Sequence, residues 1–244
     1  SLTIEGGVRL NFAAGTGITV RGSLEAAGTV ATPVTFSAET PTRGFWEGIA
    51  GTGEMATSIR LQGARLEYAS VGLFASASVT RLSRVTIRET SAAILSDLRA
   101  DYRDVVIEDC DSVLGDFAGR FLRTTIRRCA TLAGEYVEFV DSSVVDNGEL
   151  STTSLTARRT LIARSSRVTS GPAHFWTLAE STYADNGGPL PRGATVRSTL
   201  CRNGPYDVDM RTVGGAATDY ANNYWCTTSA TAIAARIYDF SDAP

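Results

Sequence analysis

The densest acidic cluster of this 244-residue chain is the run Glu108-Asp109-Cys110-Asp111. Carboxylates are the groups that hydrolyse glycosidic bonds: two of them, about 5–10 Å apart, act as acid and as base or nucleophile, and one carries a raised pKa. Glu108, Asp109 and Asp111 are therefore the candidate catalytic residues. The alternative is a structural ladder in which these carboxylates alternate with arginines, which lowers their pKa values. The residue pattern favours the ladder.

Other catalytic devices have few residues to draw on. His174 is the single histidine, and no nucleophile turn lies beside it for a Ser-His-Asp or Cys-His arrangement. All 23 cationic side chains are arginines, which excludes a lysine Schiff base. The four cysteines form no CxxC motif, and the acidic residues form no repeated calcium nonapeptide. The sequence therefore predicts neither a metal nor a cofactor.

A second candidate site is a loop segment, Gly-Pro-Ala-His-Phe-Trp, that carries His174, Phe175 and Trp176. Loops on a rigid scaffold carry binding residues, and an exposed aromatic ring there can stack on a sugar. Arg167, a few residues upstream, could meet an acidic group of the same glycan. The alternative is that Phe175 and Trp176 fold inward and cap the side of the domain. The usual burial of large aromatic residues favours the inward arrangement.

Composition narrows the range of partners. The chain has 23 basic and 26 acidic residues, for a formal net charge of −3, and no basic block typical of a nucleic-acid-binding protein. No apolar run reaches the ~18 residues that a membrane-spanning helix needs. We therefore expect no nucleic-acid partner and no membrane span, and the composition sets no oligomeric state.

The elements that would position these residues follow from a repeat in the middle of the chain. The second apolar residue of each short β-like run recurs every 17–21 residues, in segments whose β-branched residues are typical of strands. One strand-rich coil per ~19–20 residues predicts a parallel β-solenoid, in which each coil docks about 4.8 Å from the last. The predicted inward-facing anchors are Tyr68, Ile87, Ile107, Ile126, Val145, Ile162, Tyr183 and Leu200.

Charges around the anchors support this register. Three residues before the anchors stand Arg65, Arg84, Asp104, Arg123, Ser142, Arg159, Glu180 and Arg197, and two residues after them stand Ser70, Glu89, Asp109, Arg128, Asn147, Arg164, Asp185 and Arg202. Opposite charges one rung apart gain about 0.2–1 kcal/mol, whereas like charges repel. We therefore predict ladders of alternating charge along the solenoid, with a break where Arg65 meets Arg84.

The same register places cysteines next to each other. Cys110 and Cys129 each lie three residues after an anchor, on neighbouring coils. A Cys110-Cys129 disulfide is one interpretation, because in-register Cα atoms lie within range. Two small buried thiols are the favoured one, because parallel Cβ vectors suit a disulfide poorly. Cys201-Cys226 is the other candidate pair, and an even cysteine count is compatible with an oxidising compartment.

Both ends of the chain carry the motifs of a known family. Residues 2–38 read LTIEGGVRLNFAAGTGITVRGSLEAAGTVATPVTFSA, residues 45–49 read FWEGI, and residues 221–239 read ANNYWCTTSATAIAARIYD. These motifs resemble those of the right-handed parallel β-helix (pectin-lyase-like) proteins of bacterial surfaces. One departure is Cys226, which stands where that family usually has a glycine. The resemblance implies a fold whose relatives include polysaccharide lyases, hydrolases and epimerases, but its motifs carry no chemistry.

These observations predict an all-β chain, one right-handed parallel β-helix domain over residues 1–244. It would have about a dozen coils and at most short helical turns near 96–103 or 230–236. The function that we expect is a non-enzymatic extracellular or bacterial cell-surface rod that acts as scaffold, adhesin or glycan contact, exported with a signal peptide that this chain does not contain. The alternative is a carbohydrate-active enzyme (polysaccharide lyase, hydrolase or epimerase) with carboxylates on one face. Acidic residues that form no ion pair with an arginine would distinguish this enzyme from the rod.

Overall fold

Short strands rich in β-branched residues wind around one apolar interior, and each strand pairs with its counterpart in the next coil. A computed structural model describes residues 1–51, 57–75, 79–96, 100–113, 118–169, 175–191, 193–209 and 220–238. Every strand pair in these ranges for which a register is defined is parallel. The result is a nearly all-β parallel solenoid of about eight turns, which confirms the predicted fold class.

The strands and the single described helix have the following bounds. In chain order they are β1 (Leu2–Glu5), β2 (Arg9–Phe12), β3 (Gly17–Val20), β4 (Ser23–Ala27), β5 (Val34–Ala38), β6 (Trp46–Gly51), β7 (Ser58–Gln62), β8 (Ala64–Glu67), β9 (Ala69–Ala75), β10 (Val79–Ser83), β11 (Thr86–Arg88), β12 (Ala92–Ser96), β13 (Ala100–Arg103), β14 (Val106–Glu108), β15 (Ser112–Val113), β16 (Ala118–Leu122), β17 (Thr125–Arg127), β18 (Thr131–Val140), β19 (Ser143–Val145), β20 (Glu149–Arg158), β21 (Leu161–Ala163), β22 (Arg167–Val168), β23 (Phe175–Ala179), β24 (Thr182–Ala184), β25 (Gly193–Val196), β26 (Thr199–Cys201), β27 (Val208–Asp209), α1 (Ala230–Ala234) and β28 (Ile237–Tyr238).

Successive strands of a coil form three faces of the solenoid. Face 1 contains β1, β4, β7, β10, β13, β16, β23, β25 and the second halves of β18 and β20. Face 2 is the ten-stranded sheet β2-β5-β8-β11-β14-β17-β19-β21-β24-β26. Face 3 contains β3, β6, β9, β12, β15, β22 and the first halves of β18 and β20. The long strands β18 and β20 therefore join faces 1 and 3 into one sheet.

The inward column of face 2 carries most of the predicted anchors. Ile87, Ile107 and Ile126 are in register and have no exposed surface, and the column continues through Ile162, Tyr183 and Leu200. Such a column stacks apolar side chains of adjacent coils, so each coil buries its apolar residues only when its neighbours are in place.

Two anchors were wrong. Val144, not Val145, lies between Ile126 and Ile162, because either valine of the Ser143-Val144-Val145 strand satisfies an apolar pattern while only one faces inward. Leu66, not Tyr68, pairs with Ile87. Tyr68 instead occupies the turn after the strand, with a left-handed φ of +65°.

The number of coils was also wrong: the solenoid has about eight turns, not a dozen. The first coils are longer than the repeat, since the face 2 residues Leu10, Phe36 and Leu66 are 26 and 30 residues apart. At about 4.8 Å per coil, the ten stacked strands of face 2 span about 43 Å, less than the roughly 55–60 Å of a dozen coils. The predicted helical turn near 230–236 is present as α1, whereas Ala100–Arg103 is strand β13 and residues 97–99 lie outside the described ranges.

The closing end of the solenoid is held by a buried acid and by a cystine. Asp207 is 1% exposed; it accepts hydrogen bonds from the Asn203 backbone and side-chain nitrogens at 2.8 and 3.0 Å and from Arg236 at 3.0 and 3.1 Å. Cys201 and Cys226 are joined in a disulfide, with their Cα atoms 5.8 Å apart. Cys226 has a φ of +57°, the conformation that explains a glycine at this place in the resembling family.

Cys110 and Cys129 are free thiols in the structure. Both are almost completely buried, at 2% and 1% exposure, in the column that Asn147 continues on the next coil. The backbone N–H of Cys129 donates to the Asn147 side chain at 3.0 Å, and Thr90 donates to the Cys110 sulfur at 3.2 Å. The structure thus agrees with the buried-thiol interpretation of this pair.

Candidate functional site

Two columns of residues with left-handed backbone flank face 2. The first column, three residues before each inward residue, comprises Gly63, Arg84, Asp104, Arg123, Asp141, Arg159, Glu180 and Arg197. The second, two residues after it, comprises Tyr68, Glu89, Asp109, Arg128, Asp146, Arg164, Asp185 and Arg202. Once Val144 replaces Val145 as the inward residue, Asp141 and Asp146 take the places that the sequence analysis assigned to Ser142 and Asn147. The charge then alternates without a break from Arg84 to Arg197.

Within these columns, every arginine except Arg84 reaches back to the acid of the preceding coil. Arg123 Nε lies 2.6 Å from Asp104 Oδ1, and Arg128 Nε lies 2.7 Å from Asp109 Oδ1, each with a second parallel bond. The same two-bond pairing joins Asp141–Arg159, Asp146–Arg164 and Asp185–Arg202, whereas Glu180 and Arg197 share one contact of 3.1 Å. These arginines hold the pKa values of Asp104 and Asp109 below the usual range. A bidentate pair opposes the cost, about 1–2 kcal/mol, of left-handed backbone at a non-glycine residue.

Each of the three candidate catalytic carboxylates forms an ion pair with an arginine. Glu108 lies 2.6 Å from Arg127 and 3.0 Å from Arg128, and Asp109 is held by Arg128. Asp111 pairs with Arg43, which also binds Glu89 at 2.8 Å. A general acid for glycoside hydrolysis needs a raised pKa, whereas the pKa of Asp109 is lowered by its bond to Arg128. The geometry therefore supports the structural ladder over a catalytic role for this cluster.

We expect Asp104→Arg to lower the melting temperature, because it stacks three like charges from Arg84 to Arg123. The folded-state pKa of Asp104 is depressed, so its stabilising effect is present above about pH 4, the unfolded value, and is lost as the pH falls through the folded value. The difference from the native protein should therefore shrink in 1 M salt and below about pH 4. Thermal unfolding across salt and pH measures it; a difference independent of both would rule out electrostatics as the cause.

The candidate ligand loop is divided by strand alternation. Phe175 is 44% exposed on β23, whereas Trp176 is fully buried. The indole N–H of Trp176 donates to the Thr152 carbonyl at 3.0 Å, and its ring packs edge-on against Tyr183. The assignment of Trp176 as a glycan contact is therefore wrong, and the inward alternative holds for this residue. His174 lies outside the described residues.

Arg167, the fourth residue proposed for that loop site, is exposed on β22. Its guanidinium lies 3.9 Å from the Glu149 carboxylate, the long end of the range for an ion pair. Glu149 in turn accepts a hydrogen bond from Thr169. The structure thus places Arg167 and Phe175 at the surface and does not place Trp176 there with them.

A groove on face 1 that the sequence analysis missed has the features of a ligand site. It has a volume of about 280 Å³ and is lined by Ala100, Asp101, Gly119, Arg120, Tyr136, Val137, Glu138, Ser154 and Thr156. We call it the Tyr136 groove. Tyr136 is 54% exposed and lies in one outward row with Ser154 and Phe175, so that Tyr136 and Phe175 are two rungs, about 10 Å, apart.

The charged wall of the Tyr136 groove is the neighbouring outward row. In this row Asp101, Arg120 and Glu138 follow one another on successive coils, and Arg120 Nε lies 3.2 Å from Glu138 Oε2. On the next two coils the row continues with Thr156 and Thr177, whose hydroxyl groups can donate and accept. An exposed aromatic ring beside charged groups and hydroxyls suits a polar ligand with one flat apolar face, such as a sugar.

A signal for the groove does exist in the sequence. In Tyr136-Val137-Glu138-Phe139, polar and apolar residues alternate, and the structure puts Tyr136 and Glu138 outside and Val137 and Phe139 inside. The ~19-residue repeat fixes the register of face 2 alone. It does not show which residues of face 1 point outward on neighbouring coils, so the groove is not evident from the sequence.

Within the described residues, no three His, Cys, Asp or Glu side chains converge as metal ligands would. In the same ranges, no helix is long and apolar enough to cross a membrane. In comparisons with protein-family models, curated proteins and solved structures, no match to this chain was found.

Proposed function

We propose that this chain is a non-enzymatic extracellular or cell-surface module: a rigid rod that contacts glycans through face 1. The observation that carries the proposal is the Tyr136 groove, in which an exposed aromatic ring lies beside a row of charged and hydroxyl side chains. The pairing of Glu108, Asp109 and Asp111 with arginines supports a non-catalytic role. Kinship with the pectin-lyase-like proteins remains part of this proposal and rests on the terminal motifs.

Rigidity favours such a role. Parallel coils with a continuous apolar interior and two charge ladders keep the outward rows of face 1 at fixed spacing. A linear glycan laid along the solenoid axis would then meet equivalent positions of successive coils without reordering of the backbone. Binding to preorganised positions avoids part of the entropy cost of association.

The second candidate function is a carbohydrate-active enzyme. Asp101 and Glu138 line the same groove on either side of Arg120, two rungs or about 10 Å apart. This separation is close to the ~6.5–9.5 Å between the carboxylates of an inverting glycosidase. The ion pair between Arg120 and Glu138 argues for the binding role, since this carboxylate is already engaged by an arginine.

We expect Tyr136→Ala to weaken glycan retention about two- to twelvefold, because loss of a stacking ring removes about 0.5–1.5 kcal/mol. Affinity electrophoresis in gels that contain a panel of neutral and acidic polysaccharides measures the retention. Tyr136→Phe keeps the ring and should bind like the native protein. Phe74→Ala removes an aromatic residue from face 3, 37% exposed, and serves as the control. Equal retention of Tyr136→Ala and the native protein on every polysaccharide that binds would refute the proposal.

A further inference from the structure

One arginine of the first left-handed column has no acid to bind. Arg123, Arg159 and Arg197 each pair with a carboxylate on the preceding coil. The corresponding residue before Arg84 is Gly63, which has no side chain. Asp104, on the other side of Arg84, is already held by two bonds from Arg123. Within the described residues, Arg84 therefore forms no ion pair.

The chain cannot supply the missing carboxylate at position 63. A Cβ atom on Gly63 would lie 2.4 Å from the Gly28 carbonyl carbon and 2.6 Å from the Thr29 nitrogen. Backbone atoms at that distance cannot move aside as a flexible side chain would. The turn around Gly28 therefore keeps position 63 a glycine, and the acidic neighbour that remains for Arg84 in this column is Asp104, which Arg123 already holds with two bonds.

Three more arginines surround this position, and all are exposed. Arg60 and Arg65 lie three residues before and two residues after Gly63, and Arg81 lies three residues before Arg84, in register with Arg60. None of the three forms an ion pair in the described part of the chain. Arg60 and Arg81 are adjacent in one outward row, flanked by Glu25 and Asp101, and their like charges repel across one rung. We call Arg60, Arg65, Arg81 and Arg84 the arginine corner.

We infer that the arginine corner binds sulfate or phosphate ester groups carried by a linear polymer. Guanidinium groups bind such oxyanions with paired hydrogen bonds. Four guanidinium groups on two coils suit a polymer with closely spaced, highly charged ester groups better than a ligand with isolated, weakly charged groups. The corner adjoins the Tyr136 groove, because Arg81 and Asp101 are neighbours on face 1. The inference deepens the proposed function: the polymer would be the glycan that runs along face 1.

The test compares two double variants that remove equal charge. Arg81→Gln with Arg84→Gln removes half of the corner, whereas Arg21→Gln with Arg167→Gln removes two exposed arginines that lie outside the corner and outside the strands of face 1. The probe is immobilised dextran sulfate, with unmodified dextran as the uncharged reference. We expect the corner variant to bind dextran sulfate at least tenfold more weakly and with a smaller salt dependence, and the control to bind within twofold of the native protein.

Several results would overturn the inference. Equal losses in both double variants would show a general charge effect without a site. Full competition by free inorganic sulfate, at the sulfate concentration of the polymer, would assign the corner to a free ion. Competition by a single-stranded oligonucleotide at the same charge concentration would assign it to a nucleic acid. Tyr136→Ala separates the proposal for the arginine corner from the proposal for the Tyr136 groove. If this variant still binds dextran sulfate but no longer retains neutral glycans, both proposals are supported. Dextran sulfate binding that depends on the corner, with no effect of Tyr136→Ala on any glycan, refutes only the groove.

Discussion

We expect Trp176→Ala to lower the free energy of unfolding by about 3–5 kcal/mol, the usual cost of removing a large buried aromatic side chain. Trp176 has no exposed surface, so truncation leaves a cavity beside Tyr183 and removes the hydrogen bond to the Thr152 carbonyl. Denaturant-induced unfolding, followed by the remaining tryptophan fluorescence and by circular dichroism, measures the change.

The neighbouring residue provides the matched control. Phe175 precedes Trp176 on the same strand but points outward, with 44% of its surface exposed. Phe175→Ala should therefore change the free energy of unfolding by less than about 0.5 kcal/mol. Similar effects of the two substitutions, or loss of glycan binding by Trp176→Ala at native stability, would contradict the inward placement of Trp176.

The second large effect is expected for Asp207→Ala, at about 3–5 kcal/mol. The substitution leaves the half-buried Arg236 guanidinium without its partner and removes the acceptor of two Asn203 donors. The closing end of the solenoid, with β27, β28 and α1, should then open first, which hydrogen exchange at Asn203 and Val208 reports.

Asp185→Ala is the control for Asp207→Ala. Asp185 also pairs with one arginine through two bonds, but its side chain is 39% exposed. Exposed pairs contribute about 0–1 kcal/mol. If both substitutions destabilise the protein equally, burial of the Asp207 pair is not what holds the closing end.

The sequence predicts the solenoid class because the residue types of its repeated segments are compatible with few other folds. Strand segments that recur every 17–21 residues with inward Ile and flanking charges fit stacked coils and do not fit helical repeats. The sequence does not fix the register of an individual strand where two neighbouring residues both fit the inward position. Val144 and Val145 differ only in which face of the strand they occupy, and the alternation of charge at Asp141 and Asp146 was the signal that could have decided between them.

The remaining errors have a common physical origin. Coil length varies with the turns between faces, so the two long coils before Leu66 could not be counted from the ~19-residue period. Trp176 follows the Gly171-Pro172 sequence, where the repeat pattern gives no register, and a one-residue shift at the start of β23 decides whether Trp176 or Phe175 faces inward. The Tyr136 groove depends on rows from β13, β16, β18 and β20, which meet only after all coils are in register. Pairing of Cys201 with Cys226 was one open alternative, and the structure brings the two residues into register at the last rung.

The most direct test of a binding rod against an enzyme is the fate of the polysaccharide that the native protein retains best. The chain-length distribution of that polysaccharide should be measured after prolonged incubation, with and without calcium. Our account predicts continued binding with an unchanged distribution, and the same result for Asp101→Asn and Glu138→Gln. Shortened chains or unsaturated ends that form with the native protein and fail to form with either variant would contradict it and establish the Tyr136 groove as an active site.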